Sequence, residues 1–380
     1  MKIKVDAKVL EEVVSTAAQA ISNKMIRPSD ECVFFDIGEH NGTPVMTVQG
    51  HGDGLKIQKS TDSVIVMEDG CALIPAKMLL AFLKLMDGDV TLEADGQKAV
   101  LRCDGKKTSI SCMDASDFST DFTIMQDEHL VKMDGDDFEK AVSGTLHCIS
   151  PDQGRLILTG INFAFDAESG FCESVGTDGF RLAMARVKAE TNDTFRATIP
   201  AVMAKLIAKT IKGSKDVAFQ FSNGAVIVDD YDTRIEAALL SGEYMDVHLL
   251  IEKQGAGDMH IKANASDLME ATKLAMIPAT DNQKGVIVMG FEKEESMQVF
   301  SRSDFSDANA TIACERMGEM KDATEIAFNG KYIEDALKAA MDYGEELTLK
   351  ANTNVSPLVI VPVNRDDYYQ LVLPVRRFTN

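Results

Sequence analysis

The sequence has no tryptophan and only 6% aromatic residues. None is interleaved with basic residues, so the stacking platforms that hold single-stranded nucleic acid are missing. There is no apolar run of about 18 residues, which excludes a membrane-spanning helix. The N-terminus, MKIKVDAKVLEEVV, is charged and amphipathic and has no signal-peptide core. Seven cysteines (Cys32, Cys71, Cys103, Cys112, Cys148, Cys172 and Cys314) are scattered, odd in number and form no CxxC. That pattern fits buried thiols in a reducing cytoplasm and argues against a disulfide framework or a zinc site. No GxxxxGKS/T, strand-following GxGxxG, HExxH or GxSxG occurs, so no cofactor is implied and no enzyme class is favoured. The six histidines (His40, His51, His129, His147, His248 and His260) stand apart from any Cys or Asp at ligand spacing. Asp134-Gly-Asp-Asp137 could hold Mg²⁺, but it lies where a strand enters a helix, and capping by Asp134 or Asp136 is the better reading.

What is present is size and negative charge. At 380 residues with 45% hydrophobic side chains, the chain predicts two or three domains with substantial cores. A net charge of −21 excludes a surface that binds DNA all round, because phosphate contacts need positive charge. It leaves open a protein that confines its positive charge to one surface.

The sequence repeats itself three times. Residues 2–22 (KIKVDAKVLEEVVSTAAQAIS), 130–150 (LVKMDGDDFEKAVSGTLHCIS) and 260–278 (HIKANASDLMEATKLAMIP) each read as an alternating strand, an Asp or Asn cap and an amphipathic helix. Leu10, Phe138 and Leu268 take the same place. A second marker recurs in LIPAKMLLAFLK (73–84), TIPAVMAKLIAK (198–209) and AFNGKYIEDALK (327–338), aligned on Pro75, Pro200 and Asn329. Proline there suits the first turn of a helix, and alternating strands follow each time, as in DVTLEADG, DVAFQFSN and ELTLKANT. The two markers resemble one another, so each repeat reads as two strand–helix–strands halves. The predicted domains are 1–127, 128–254 and 255–380. No Pro/Ser-rich linker separates them, and Lys253-Gln-Gly-Ala-Gly257 is the expected seam between the last two.

Positive charge returns to one place in this pattern. Nine residues after the aligned Pro75, Pro200 and Asn329 stand Lys84, Lys209 and Lys338. Lys77 and Lys331 precede two of them by seven residues, on the same helical face, and Lys205, Lys209 and Lys212 form a stripe in the middle repeat. Lysine offers a flexible point charge that reads no base pattern. The partner implied is duplex DNA, bound through phosphates without sequence preference.

Ser174-Val-Gly-Thr-Asp-Gly-Phe-Arg-Leu-Ala183 resembles the TDGHRLA signature of the bacterial sliding clamp, the beta subunit of DNA polymerase III. Arg155-Leu-Ile-Leu-Thr-Gly-Ile161, Phe328-Asn-Gly-Lys-Tyr332 and Leu371-Val-Leu-Pro-Val-Arg376 are similar to further family segments in the same order. The resemblance spans the chain. It implies an α+β fold: three tandem copies of the DNA-clamp (processivity) fold, with helices lining a ring hole and antiparallel sheets outside. It also implies a non-catalytic homodimer on DNA whose partners, the replicative DNA polymerase, the clamp loader and other proteins with clamp-binding peptides, dock in a pocket between the second and third domains. Carried over by motif, that pocket comprises Leu158, Thr177, Gly179, Phe180, Arg181, Leu182, Leu371, Val372, Leu373, Pro374, Val375 and Arg376, bordered by Arg181 and Arg376. The DNA contacts would add Lys24 and Arg155 to the lysines above. Four departures stand out. Phe180 replaces the usual His, Met245 and Leu249 replace a Pro and an Arg of the rim, four residues follow Arg376, and Pro28 is followed by Ser-Asp-Glu where the family has Ile-Leu.

Size sets the number of copies. A unit of about 127 residues has a radius of gyration near 14 Å and a diameter of roughly 36 Å. Three such units close on a hole of only about 6 Å, whereas six leave roughly 36 Å, enough for a duplex about 20 Å wide. A head-to-tail homodimer supplies six. At its joint, Lys106, Lys107 and Ile110 are expected to meet Ile277 and the acidic stretch from Asp304 to Asp307. Two other readings make different demands. An interaction scaffold of the same fold would not need the repeated lysines, and an enzyme would need a site assembled from distant residues.

Overall fold

The computed structural model describes residues 1–22, 27–123, 128–222, 224–254, 258–281, 285–318 and 324–376. The repeat is visible in the order of its elements. The first runs β1 (Lys2–Asp6), α1 (Ala7–Ala18), β2 (Cys32–His40), β3 (Thr43–Gly52), β4 (Leu55–Thr61), a short β5 (Ile65–Glu68), β6 (Gly70–Pro75), α2 (Ala76–Leu83), β7 (Asp89–Ala94), β8 (Lys98–Cys103) and β9 (Lys106–Ser111). The second runs β10 (His129–Met133), α3 (Gly135–Leu146), β11 (Gly160–Asp166), β12 (Phe171–Thr177), β13 (Arg181–Lys188), the two-residue β14 (Glu190–Thr191), β15 (Phe195–Pro200), α4 (Ala201–Thr210), β16 (Val217–Phe221), β17 (Ala225–Asp230) and β18 (Thr233–Ala238). After α5 (His248–Gln254) the third runs β19 (Met259–Asn264), α6 (Ala265–Asp281), β20 (Val286–Gly290), β21 (Ser296–Arg302), β22 (Asp307–Met317), β23 (Glu325–Asn329), α7 (Gly330–Met341), β24 (Glu346–Ala351), β25 (Leu358–Pro362) and β26 (Tyr368–Val372).

Each half is strand, helix, three strands, and the opening strand of one half is added to the sheet of the other. So β1 pairs with β7 and β6 with β2, β10 with β16 and β15 with β11, β19 with β24 and β23 with β20, all antiparallel. This exchange ties the halves of a repeat together through main-chain hydrogen bonds. The same logic joins repeats. β18 pairs with β4 (Ile235 opposite Ile57), and β13 with β26 (Ala183 opposite Gln370). The chain forms two compact units, residues 1–136 with 191–193 and 206–239, and residues 137–190 with 194–205 and 240–380. Sheets of five and nine strands belong to the first unit and a sheet of twelve strands to the second.

Apolar helix faces make the cores. In the first unit, Leu10, Val13, Val14 and Ala17 of α1 and Ala76, Leu79 and Leu83 of α2 are buried against the strands. In the second, Leu268, Ala271 and Ala275 of α6 meet Ile333, Ala336, Leu337 and Ala340 of α7. Leu10, Phe138 and Leu268, aligned in the sequence, are all at most 1% exposed. Burying a side chain of this kind contributes about 1.5–3 kcal/mol. Asp6 caps α1 by accepting from Lys8 N, Asn264 accepts from Ser266 N at the start of α6, and Asn329 caps α7. Pro75 and Pro200 differ from expectation: each is the last residue of a strand, one place before its helix. Asp134 and Asp136 reach the turn after α4. Asp134 pairs with Lys215 at 2.7 Å and accepts from Asp216 N, while Asp136 accepts from Gly213 N. No group of His, Cys, Asp and Glu able to hold a metal occurs among the described residues. The seven cysteines are free thiols; Cys32, Cys103, Cys148 and Cys172 are buried, and Cys71 is exposed. Burial pushes the Cys32 thiol up to about 12, which leaves it inert as a nucleophile.

Candidate partner groove and lysine faces

The signature Gly176-Thr-Asp-Gly-Phe-Arg181 makes a turn between β12 and β13 in which each residue has a task. A Cβ on Gly176 would lie 2.5 Å from the carbonyl oxygen of Thr145, so α3 can rest on β12 only over glycine. Gly50 does the same under Ala17 of α1, where a Cβ would lie 2.2 Å from the Ala17 oxygen. The Thr177 hydroxyl donates to Arg181 O and accepts from Gly179 N, and Asp178 Oδ1 accepts from Phe180 N and Arg181 N. Gly179 sits at φ +91°, where a side chain is strained. The turn is thereby fixed, and Phe180 projects from it, 59% exposed.

Beside this turn lies an apolar cluster of the second unit. Val175, Leu182, Tyr244, Val247, Val359, Tyr369 and Leu371 are buried in it, with Ile157, Leu158, Met184 and Leu373 partly buried against them. Met245 and Leu249, 44% and 56% exposed, stand on the segment that packs there. Leu373 N donates to Phe180 O and Val375 N to Ala327 O, which holds the chain after β26, including Pro374 and exposed Arg376, alongside. Leu158, Thr177, Gly179, Phe180, Leu182, Leu371 and Leu373 therefore lie near one another in this part of the second unit. Tyr244, Val247, Val359 and Tyr369 were not anticipated, although the spacing of Tyr244, Val247 and Ile251 is a helical-face pattern.

Three expectations need correction. Arg181 is not a free rim charge. Its guanidinium, 13% exposed, donates to Asp178 at 3.1 Å and Asp335 at 2.9 Å and stacks over Tyr332 at 4.2 Å. Burial opposes these charges, but mutual pairing overcomes it, raising the Arg181 pKa and lowering that of Asp335. Val372, 1% exposed, faces the core on the opposite side of β26 from Leu371. Arg155, expected at DNA, lies instead against the signature turn, donating to Asp178 O at 3.1 Å and pairing with Asp152.

The lysines are where the helices leave room for them. On α2, Lys77 and, at the C-cap, Lys84 are exposed opposite buried Ala76, Leu79 and Leu83. On α4, Lys205 and Lys209 are exposed, as is Lys212 just beyond it, and on α7 Lys331 and Lys338 are exposed. Lys331 is already engaged by Glu334 at 3.2 Å and Asp335 at 3.0 Å, which compensates its charge. Lys24 lies outside the described residues. Lys106 and Lys107 are exposed on β9, and Asp304, Asp307 and Ile277 are exposed in the third repeat. Ile110, expected at the joint, is instead 6% exposed and part of the core of its own unit.

Six exchanged halves, sheets joined strand to strand and helices carrying outward lysines define the DNA-clamp class. The family model for the DNA polymerase III beta subunit, central domain, matches residues 132–246. The beta sliding clamp of Synechococcus elongatus is 25% identical over 345 residues, covering 88% of this chain and 89% of that protein. That of Streptococcus pneumoniae is 24% identical over 378 residues, covering 96% of each. Among solved structures, the Bacillus subtilis DNA polymerase sliding clamp superimposes with a TM-score of 0.90 at 20% identity over the whole of both chains. The Pseudomonas aeruginosa sliding clamp bound to griselimycin does so with 0.88 at 18% identity, over 99% of this chain and 100% of that one. Over nearly its whole length the chain is similar to bacterial beta sliding clamps, and it shares their fold.

Proposed function

We propose that two copies of this chain join head to tail into a ring around duplex DNA, without catalysis of their own, and tether the replicative polymerase and the clamp loader through the groove beside Phe180. The observation that carries the reading is a pair of open strand edges. Within the chain, β18 joins β4 and β26 joins β13, each the last strand of a four-strand set. The two sets left over end in β9 and β22. β9 pairs with β8 alone, and residues 307–313 of β22 pair with β21 on one side and have no strand on the other, among the described residues. An unpaired edge invites another strand, and these two cannot both be satisfied by the joints already made. Charge agrees: Lys106 and Lys107 stand on β9, and Asp304 and Asp307 at the start of β22. A cleft of about 500 Å³ between α6 and β22, lined by Ala271, Leu274 and Ala310 to Ala313, adjoins that edge.

Outward lysines on α2, α4 and α7 suit phosphate contact without base readout, and the net charge of −21 discourages DNA from binding elsewhere. The groove suits an extended peptide with apolar anchors. Light scattering tests the joint. The native chain is expected to be a dimer at micromolar concentration, Lys106→Glu with Lys107→Glu a monomer, and Asp304→Lys with Asp307→Lys in a second chain should restore association of the mixture. A native monomer would contradict the reading.

A further inference from the structure

The outer face of the sheet β15-β11-β12-β13 carries a second cleft, of about 460 Å³, away from the groove. Its floor is a row read across four strands. Arg196 lies opposite Ala164, Ala164 opposite Glu173, and Glu173 opposite Arg186. Small Ala164 opens the space between the longer side chains. Glu173, the natural partner of Arg186, is turned instead toward His248 of α5, 3.0 Å away. Asp166, at the other end of the cleft, is occupied by Glu168 N at 3.0 Å and the Thr194 hydroxyl at 3.4 Å. Arg186 lies over Phe171, with its guanidinium carbon 4.4 Å from the ring centre, and its Nε is buried without a hydrogen-bond partner among the described residues. Neither Arg186 nor Arg196 has an ion pair with a carboxylate among the described residues. A guanidinium stacked on a ring and without a carboxylate partner is pre-organised to receive one on its terminal nitrogens.

The cleft lies on the same face of β12 and β13 as the groove. Thr177 and Leu182 at the groove lie opposite one another, then Val175 and Met184 in the apolar cluster, then Glu173 and Arg186 in the cleft. Four residues of strand separate the ends, about 13 Å. Met245, Leu249 and Leu250, each at least 37% exposed, lie on the segment that packs between them and offer an apolar surface to a peptide passing over it. We infer that this cleft is a carboxylate subsite that receives an acidic residue flanking the apolar anchors of a peptide seated in the groove. The inference rests on the groove being the peptide site, and the reach corresponds to about four or five extended residues beyond the last anchor.

Sign makes the inference testable. On a chain of net charge −21, a glutamate tail should weaken binding by long-range repulsion; a carboxylate subsite predicts the reverse. Fluorescence polarisation would compare five labelled peptides on the full-length protein: one with leucine and phenylalanine anchors, and the same peptide extended at one end or the other by a Gly-Ser spacer and two Glu or two Gln. The Glu-tailed peptide is expected to bind about fivefold or more tighter than the Gln-tailed one at low salt, from one end only. Arg186→Gln with Arg196→Gln should erase that advantage and leave the untailed peptide unchanged. Arg102→Gln, at an exposed arginine on β8, controls for lost charge and should preserve it. Equal or weaker binding of the Glu-tailed peptide, with the untailed peptide still bound, overturns the subsite alone. Failure of all five peptides to bind overturns the groove reading and the subsite with it.

Discussion

Asp335→Asn removes one of the two carboxylates that hold Arg181 while keeping the size of the side chain. Arg181 meets Asp335 at 2.9 Å and Asp178 at 3.1 Å, is 13% exposed, and lies over Tyr332. A hydrogen bond to a charged group contributes about 1.5–3 kcal/mol, and depriving a buried ion of its only partner costs about 3–5 kcal/mol. Arg181 keeps Asp178, and the amide oxygen of Asn can still accept, so the expected loss is about 2 kcal/mol. At about 2–4 °C per kcal/mol for a unit of this size, the melting temperature falls by about 4–8 °C. The pH dependence carries a sign. Burial alone would raise the Asp335 pKa, but pairing with Arg181 and Lys331 lowers it, so the folded value lies below the unfolded one. Its stabilisation is present above the unfolded pKa of about 3.9 and is lost as pH falls through the folded value. Urea denaturation of the native protein, Asp335→Asn, Arg181→Gln and the double variant would show coupling near neutral pH that fades in acid. Additive losses, or a gap below about 0.5 kcal/mol at pH 7, would refute the assignment of this pair as a stabilising lock.

Other outcomes follow from the same geometry. Changing Lys84, Lys209 and Lys338 together to Glu should abolish or greatly slow clamp loading and processive synthesis at physiological salt while leaving the melting temperature within a few degrees; unchanged processivity would separate these lysines from DNA. His147 is held below its ordinary pKa first by burial, against the stabilising contact of its Nε2 with Gln370 at 2.9 Å. Its folded pKa being lower than its unfolded one, stability should fall as pH drops below about 6.5, and His147→Gln should flatten thermal melts between pH 7.5 and 5.5. Phe180→His, at a 59% exposed position, should change peptide preference in polarisation assays and move stability by less than about 0.5 kcal/mol. Because Leu371 and Val372 are strand residues buried on opposite faces of β26, a truncation that tests the groove without unfolding the sheet should begin at Leu373.

The repeat was readable because it is local: strand, Asp or Asn cap and amphipathic helix lie within about 20 residues, and Leu10, Phe138 and Leu268 share a register that burial enforces. The lysine faces were readable for the same reason, as the residues opposite them in each helical turn are apolar. The exchange of opening strands between halves, and the joints of β18 with β4 and β26 with β13, depend on partners far apart in sequence, and no local pattern encodes them. Val372 enters the groove only by motif, and because β26 is buried on both faces its sequence shows no alternation to tell inside from outside. Arg181 and Arg155 were assigned to open surfaces because the motif names residue types; Asp335, the partner that draws Arg181 inward, lies 154 residues away.

Topology tests the central claim most directly. A ring closed around DNA is held by linkage, with phosphate contacts that are individually weak and salt-sensitive. The protein, loaded on nicked circular DNA by a clamp loader and separated from free protein by gel filtration at raised salt, should remain with the circle. Cutting that circle once with a restriction enzyme should release it within minutes. Retention on the linear product equal to that on the circle would contradict encirclement, as would loss from both at the same rate.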